Sequence, residues 1–364
     1  MKLLNLLKKK RSSRLRKKSL YDRIKRLDER SLMRTTGGTV LNNNQKKQVD
    51  EVWQKYMKNI SYNAHAFYLE KTSLFSPYYI PDSIHFIIID HFLNNWKLAH
   101  CIDNKCYYPK LFREVQMPPL IGYRLNGFWY DESDYIVYFD KIVNDVFKHE
   151  ECFIKKATDD SYGGKGVFYF NTQQKDVASF MEIMNSITSD VVIQSGLKQS
   201  KTLGKLNESS VNTIRMISLL RKDGSVKIYS TILRMGVDGS KVDNASSGGI
   251  TCGINEDGRL KAVGYSALGV KYNEHPTSHV HFDDIVIPSI SKIKQIAYQL
   301  HPQFPHFRLI SWDVALDVSD NPVLIEANLC NGEIDFHQLN NGPLFEEDTI
   351  DILEEVFANN KFII

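Results

Sequence analysis

The sequence has no hydrophobic run long enough to cross a bilayer. Its longest apolar stretch without a tyrosine, Phe86–Ile89, stops at Asp90, far short of the roughly 20 residues a spanning helix needs. A secretion signal is not expected either, because Leu3–Leu7 is brief and is followed by more basic residues instead of a cleavage site. Cysteine is scarce and odd in number: Cys101, Cys106, Cys152, Cys252 and Cys330. Only Cys101 and Cys106 lie close together, and no second pair completes a zinc set, so a reduced cytosolic chain is expected. Internal repeats and low-complexity tracts are absent.

What is present is a soluble globular composition, 42% hydrophobic and 24% charged over 364 residues, enough for two or three compact units. Charge is unevenly spread. Residues 1–34 hold 14 Lys/Arg against 3 Asp/Glu, so the remainder carries −8 within a whole-chain net of +3. A basic leader with Leu20, Ile24 and Leu27 at helical spacing suits an anionic membrane surface, or is simply a solvated tail. The mildly acidic body argues against a nucleic-acid groove.

Four segments are expected: a leader over 1–35, a small mixed domain over 36–135, and units over 136–200 and 201–364. Asn44 is the expected cap of a helix carrying Val49, Trp53, Tyr56 and Met57. The aromatic stretch from Tyr78 to Tyr138 reads as short strands and turns. A helix over 140–149 precedes strands Cys152–Lys156 and Val167–Phe170, a helix Asp176–Ile187 and a strand Val191–Gln194. Strands Thr213–Leu220 and Val226–Met235 follow, then a helix with Ile290, Ile293, Ala297 and Leu300, and a last helix over 349–357. This order lacks regular βαβ alternation, which argues against a doubly wound sheet.

Near the end of the chain, Ile310, Trp312, Val314 and Leu316 alternate with Ser311, Asp313, Ala315 and Asp317, the period of a half-buried strand. Ser319–Pro322 is a turn signal, and Val323–Asn328 is a second strand. Closure around Asp320-Asn321 would set Val318 against Val323, Ala315 against Glu326 and Asp313 against Asn328. Asp313, Glu326 and Asn328 then share a face, whereas a slip of one residue sends Glu326 and Asn328 to the other. Two carboxylates and an amide oxygen suit Mg2+, and Glu326 could bridge two ions. The bland alternative is the polar side of an ordinary hairpin. The histidines His275, His279 and His281 give a weaker metal pattern, with no cysteine beside them.

The other candidate is the loop from Lys155 to Val167, with Lys156, Ser161, Gly163, Gly164, Lys165 and Gly166. Glycines let backbone N–H groups approach phosphate, and lysines neutralise its charge. It is not a Walker A loop, since Gly164-Lys165 is followed by Gly166 instead of Ser/Thr and no helix follows. Kinase signatures and a Gly-x-Ser-x-Gly elbow are also missing. Taken alone, such a loop is an ordinary hairpin turn.

Lys155, Gly163-Gly164-Lys165-Gly166, Val191–Gln194, Asn212-Thr213-Ile214-Arg215, Trp312-Asp313 and Ile325-Glu326-Ala327-Asn328, in this order, resemble ATP-grasp enzymes. More narrowly, they resemble the sugar-transfer-associated ATP-grasp group found with bacterial capsule and exopolysaccharide genes. Asp243-Asn244, Gly248-Gly249, His275-Pro276-Thr277, Gln338 and Gly342-Pro343 add to the likeness, which covers about residues 135–350, and Asp103-Asn104-Lys105 resembles the group's N-terminal region. The resemblance implies an α+β ATP-grasp fold, two lobes sandwiching ATP, with a smaller N-terminal mixed domain. It implies that Lys155, or Lys156 where relatives often have proline, contacts the ATP phosphates, and that Ser161 and Gly163–Gly166 close over them. Gln194, where many relatives have Glu, and Leu197 would hold adenine. Arg215 and Arg234 would face the phosphate or acyl phosphate, and Asp313, Glu326 and Asn328 would hold Mg2+, as two ions.

The activity so implied is a carboxylate–amine ligase working through an acyl phosphate in cell-surface polysaccharide biosynthesis. Its partners would be ATP, a carboxylate-bearing sugar or amino acid, and an amine, with no nucleic acid. Residues 1–34 would touch the inner membrane or polysaccharide assembly proteins from the cytoplasmic side. The alternatives are a kinase of a sugar hydroxyl and a non-catalytic adaptor of the assembly complex.

Overall fold

Strands rich in β-branched and aromatic residues pair into two antiparallel sheets, and helices cover them in an α+β architecture. The computed structural model describes residues 22–158, 166–239 and 248–358. The first sheet holds β1 (Leu120–Leu125), β2 (Phe128–Asp131), β3 (Ile136–Val137), β4 (Glu151–Lys156), β5 (Val167–Asn171) and β6 (Val191–Ser195) in the order β3-β2-β1-β6-β4-β5. Alternation sorts its side chains by face. Cys152, Ile154, Val191 and Ile193 pack with Ile142 and Val146 of helix Phe139–Val146 and with Phe180 and Met184 of helix Val177–Ser186. Each such fully buried side chain is worth about 1.5–3 kcal/mol. On the opposite face Val192 and Tyr123 pack against Cys106.

The second sheet runs β11-β10-β9-β8-β7-β12-β13, with β7 (Thr213–Leu220), β8 (Val226–Met235), β9 (Ile250–Ile254), β10 (Leu260–Ser266), β11 (Lys271–Tyr272), β12 (Leu309–Leu316) and β13 (Pro322–Asn328). Every residue of β7 and β12 is buried, so both faces of the sheet are covered. One face packs Ile214, Met216, Leu233, Ile310, Trp312 and Val314 against Ile293, Ile296, Ala297 and Leu300 of helix Ile290–Leu300. On the other, Ile217, Leu219 and Leu309 meet Val49 and Trp53, Ile84 to Leu93, and the closing helix Thr349–Ala358.

Several expectations change. The stretch from Tyr78 onward is mainly helical, with helices at Asp82–Ile84, Asp90–Leu93, Trp96–Ile102 and Tyr108–Leu111, and a π-helical stretch His85–Ile89. The apolar side chains Ile84, Ile87, Ile88 and Leu93 recur at helical intervals and share one core, so tertiary packing outweighs their β propensity. Residues 120–137, expected in a separate N-terminal domain, form three strands of the first sheet through β1–β6 pairing. Helix Asn43–Trp53 is capped by Asn42, in a reciprocal box with Gln45, instead of by Asn44. Its neighbours Met57 and Ile60 still reach the core.

The hairpin β12–β13 differs from the expected register. Leu316 faces Pro322, Ala315 faces Val323 and Val314 faces Leu324; after a bulge, Asp313 faces Glu326 and Ser311 faces Asn328. The earlier closure comes from the loop: Asp317 Oδ1 accepts from the backbone of Ser319 and Asn321, and Asp320 sits at φ 61°. Without the bulge, that closure would place Glu326 on the wrong face. The extra residue returns Asp313, Glu326 and Asn328 to one side.

Candidate active site

Antiparallel pairing lines up one face of β8, β7, β12 and β13. Arg215 lies opposite Asp313, Asp313 opposite Glu326, and Arg234 opposite Thr213, two residues from Arg215 on the same face. The side chains then lock together. Arg215 Nε donates to Asp313 Oδ1 at 2.7 Å and Nη2 to Oδ2 at 2.6 Å, a bidentate fork. Arg234 Nη1 donates to the same Oδ2 at 3.2 Å, and Arg215 Nη1 lies 3.5 Å from Glu333. Asp313 is 3% exposed. Burial alone would raise its carboxyl, but Arg215 and then Arg234 outweigh that and hold it below the ordinary carboxylate value.

Glu326 is more open and pairs with Lys105 Nζ at 2.7 Å. Asn328 Nδ2 donates to Ser311 O at 3.2 Å and lies 3.5 Å from Asp313 Oδ2. Thus five of the expected residues, Arg215, Arg234, Asp313, Glu326 and Asn328, converge on one sheet face. As metal donors they are chemically apt: hard oxygens on a rigid hairpin. Asp313 Oδ1 keeps a second lone pair, Glu326 has a second oxygen, and Asn328 has its amide oxygen. No group of three or more His, Cys, Asp or Glu placed for a metal occurs among the described residues. The histidine pattern makes no such group either: His279 pairs with Glu274 at 2.8 Å and His275 hydrogen-bonds Gly236 O at 2.9 Å.

The first sheet contributes from its Cys106 side. Lys155 lies opposite Val192, and Phe153 opposite Gln194, all on that face. Lys156 lies opposite Val191 on the helix-bearing face, its stem against Gly166, so the two lysines are not equivalent. Gly166 takes φ 82° and its carbonyl accepts from Lys156 N at 2.9 Å, closing the hairpin. Ser161, Gly163, Gly164 and Lys165 lie outside the described residues. Gln194 is buried at the end of β6, and half-buried Leu197 begins the crossing to the second sheet, where Ser200 N meets Leu316 O at 2.9 Å.

Sequence reasoning missed the piece that joins the sheets. Lys105 N donates to Ala157 O at 2.8 Å and Asn104 Nδ2 to Asp190 at 2.9 Å, on the first sheet's side. Lys105 Nζ and Tyr108 Oη reach Glu326 and Ala327 O on the second. The only sequence signal was the polar Asp103-Asn104-Lys105 turn. Glu333 was also missed, because it follows β13 in a loop without periodicity. That loop is held by the N-terminal helices: His85 Nε2 bonds Gly332 O at 2.8 Å, and Asp90 accepts from Asn331 N at 3.1 Å.

The family model for sugar-transfer associated ATP-grasp proteins matches residues 89–351. Curated proteins give no significant match. Similar solved structures include the biotin carboxylase domain of Hydrogenobacter thermophilus 2-oxoglutarate carboxylase, at 11% identity and TM-score 0.46, over 75% of this chain and 49% of that one. Another is N5-carboxyaminoimidazole synthetase from Staphylococcus aureus complexed with ADP, at 9% identity and TM-score 0.43, over 73% and 54%. A third is D-alanyl-alanine synthetase A from Vibrio cholerae, at 14% and 0.41, over 71% and 66%. The chain spans about half the length of the first two. The family match covers most of the chain: the protein belongs to the sugar-transfer associated ATP-grasp family and has the α+β ATP-grasp fold.

Proposed function

We propose that the protein is an ATP- and Mg2+-dependent ligase that joins a carboxylate to an amine through an acyl phosphate, in cell-surface polysaccharide biosynthesis. The observation that carries this reading is the row Arg234, Arg215, Asp313 and Glu326, which meets Lys105 where the two sheets are bridged. Two buried guanidiniums facing buried Asp313, with Glu326 beyond it, are costly unless paired, and they make a preorganised field for a highly charged substrate.

On this reading Lys155 and Lys105 bind phosphate oxygens of ATP, and Gln194 and Leu197 border the adenine. Asp313, Glu326 and Asn328 would hold Mg2+. When bound, the ion would neutralise charge building on the phosphoryl group. Their remaining lone pairs suffice for one ion, and a second would depend on phosphate oxygens. Arg215 and Arg234 orient the acid: its oxygen attacks the γ-phosphorus, the bond to the bridging oxygen breaks, and ADP leaves. The amine nitrogen then attacks the acyl carbon, phosphate departs, and the nitrogen loses a proton. The segment Asn104–Tyr108, tied to both sheets, helps keep water from the acyl phosphate.

The experiment is an assay with MgATP, a panel of uronic and amino acids, and a panel of amines. Acid-dependent release of ADP and phosphate with amide formation is expected. Phosphate retained on a hydroxyl product instead would make the protein a kinase. Absence of any acid-dependent ADP release across the panels would remove the ligase reading.

A further inference from the structure

One buried group beside the site has no part in the chemistry above. His337 lies in helix Asp335–Asn341, which packs across β8, β9 and β10 on the face that bears Arg215 and Arg234. The ring is 1% exposed. Its Nδ1 is 2.7 Å from Ser230 Oγ on β8, and Ser230 shares the Arg234 face through its pairing with Ile217. Its Nε2 is buried and makes no hydrogen bond. The charges that bear on the ring are those of Arg215, Asp313 and Arg234.

Ser230 Oγ accepts from Asn341 Nδ2 at 2.7 Å and has a hydrogen it can direct at His337 Nδ1. With that hydrogen so directed, the ring carries its proton on Nε2. Burial, and next the charge of Arg215, keep the imidazole far below its ordinary titration range, so it stays neutral. A neutral ring is tolerated within reach of the two guanidinium charges, which would repel an imidazolium. The result is a buried N–H donor with no acceptor, in the company of two arginines, and a buried donor of this kind is rarely left unmatched.

We propose that His337 Nε2–H is the third donor of a carboxylate subsite completed by Arg215 and Arg234, the subsite that holds the acid before it is phosphorylated. The proposal rests on the ligase reading and specifies how that site recognises its acid. Arg215 and Arg234 supply charge, and the anchored imidazole supplies direction. It would favour a planar carboxylate, which offers lone pairs to three donors at once.

The test uses sodium acetate as the probe, titrated into 15N-labelled full-length protein with MgADP present. The readouts are the tautomer of the His337 ring and the Nε–H resonances of Arg215 and Arg234. Wild-type protein should show Nε2–H and a saturable acetate shift. In His337→Gln the amide can still donate near the Nε2 position, so acetate affinity should stay close to wild type. In His337→Asn only the Ser230 anchor survives, and the affinity should fall about tenfold, the loss expected for one hydrogen bond to a charged group. An Nδ1–H tautomer, no saturable response in wild type, or equal affinity in all three proteins would overturn the proposal. Failure of MgADP to raise the melting temperature would instead strike at the nucleotide reading.

Discussion

Replacing Asp313 with alanine separates a structural cost from a chemical one. The carboxylate is 3% exposed and is the shared acceptor of Arg215 and Arg234. Both guanidiniums are themselves about nine-tenths buried, so Asp313→Ala leaves two buried cations without their anion. Removing one partner of a buried pair costs roughly 3–5 kcal/mol. At about 2–4 °C per kcal/mol for a unit of this size, the melting temperature should fall by roughly 6–20 °C. Glu326→Ala is the control. Its pair with Lys105 is 2.7 Å long, but the carboxylate is 29% exposed, so that loss should stay near 1 kcal/mol or less. Both variants should lose ATP turnover, and only the first should melt early. The double variant Asp313→Ala/Arg215→Met should recover part of the lost stability, because one orphaned charge is gone. Differential scanning calorimetry, with ADP release measured alongside, checks each statement. An Asp313→Ala protein as stable as wild type would refute the buried ion cluster, and one that still turns over ATP would refute its place in the site.

Lys155→Ala should raise KM for ATP about tenfold or more, whereas Lys156→Ala should change it less than about threefold, because the two side chains lie on opposite faces of β4. Equal effects would contradict the facing. The Asp82 carboxyl is pushed up to about 8 by burial and then by Asp335. The native chain therefore keeps a proton that the unfolded chain gives up near the ordinary value of 3.8. This group's contribution to stability is fully present below about pH 4 and declines as pH rises towards about 8, so Asp82→Asn should stabilise the fold at pH 8 and gain little at pH 4. Denaturant titrations at both values test the sign. Gln338 is fully buried and hydrogen-bonds both backbone groups of Ile80 and the Tyr68 hydroxyl. Gln338→Ala should cost about 1–3 kcal/mol in urea unfolding, since it leaves buried backbone groups unmatched.

Long periodic segments were legible in the sequence. Strands β7 and β8 and helix Ile290–Leu300 fall where alternation and the Ile290, Ile293, Ala297 and Leu300 spacing put them. The grouping of Asp313, Glu326 and Asn328 was legible too, but for an incomplete reason. The expected closure ignored the Asp317 side chain that closes the turn earlier and the bulge that compensates for it. Period-2 patterning fixes a face, not a partner. Isoleucine-rich helix 82–93 looked like strand because its stability comes from packing under β7 and β12, which no local window contains. Lys105, Glu333 and His337 were hidden for a related reason: each is brought to the site by a loop or short helix whose position depends on contacts far along the chain.

The proposed magnesium–ATP site lies between the sheet faces that bear Lys155 and Asp313. Calorimetric titration of ATP into the full-length protein, with magnesium and then with excess chelator, tests it most directly. Saturable binding that weakens at least about tenfold when magnesium is removed, and that loses this magnesium dependence in Glu326→Ala, is the predicted result. No binding at millimolar ATP, or binding indifferent to magnesium in the wild-type protein, would contradict it.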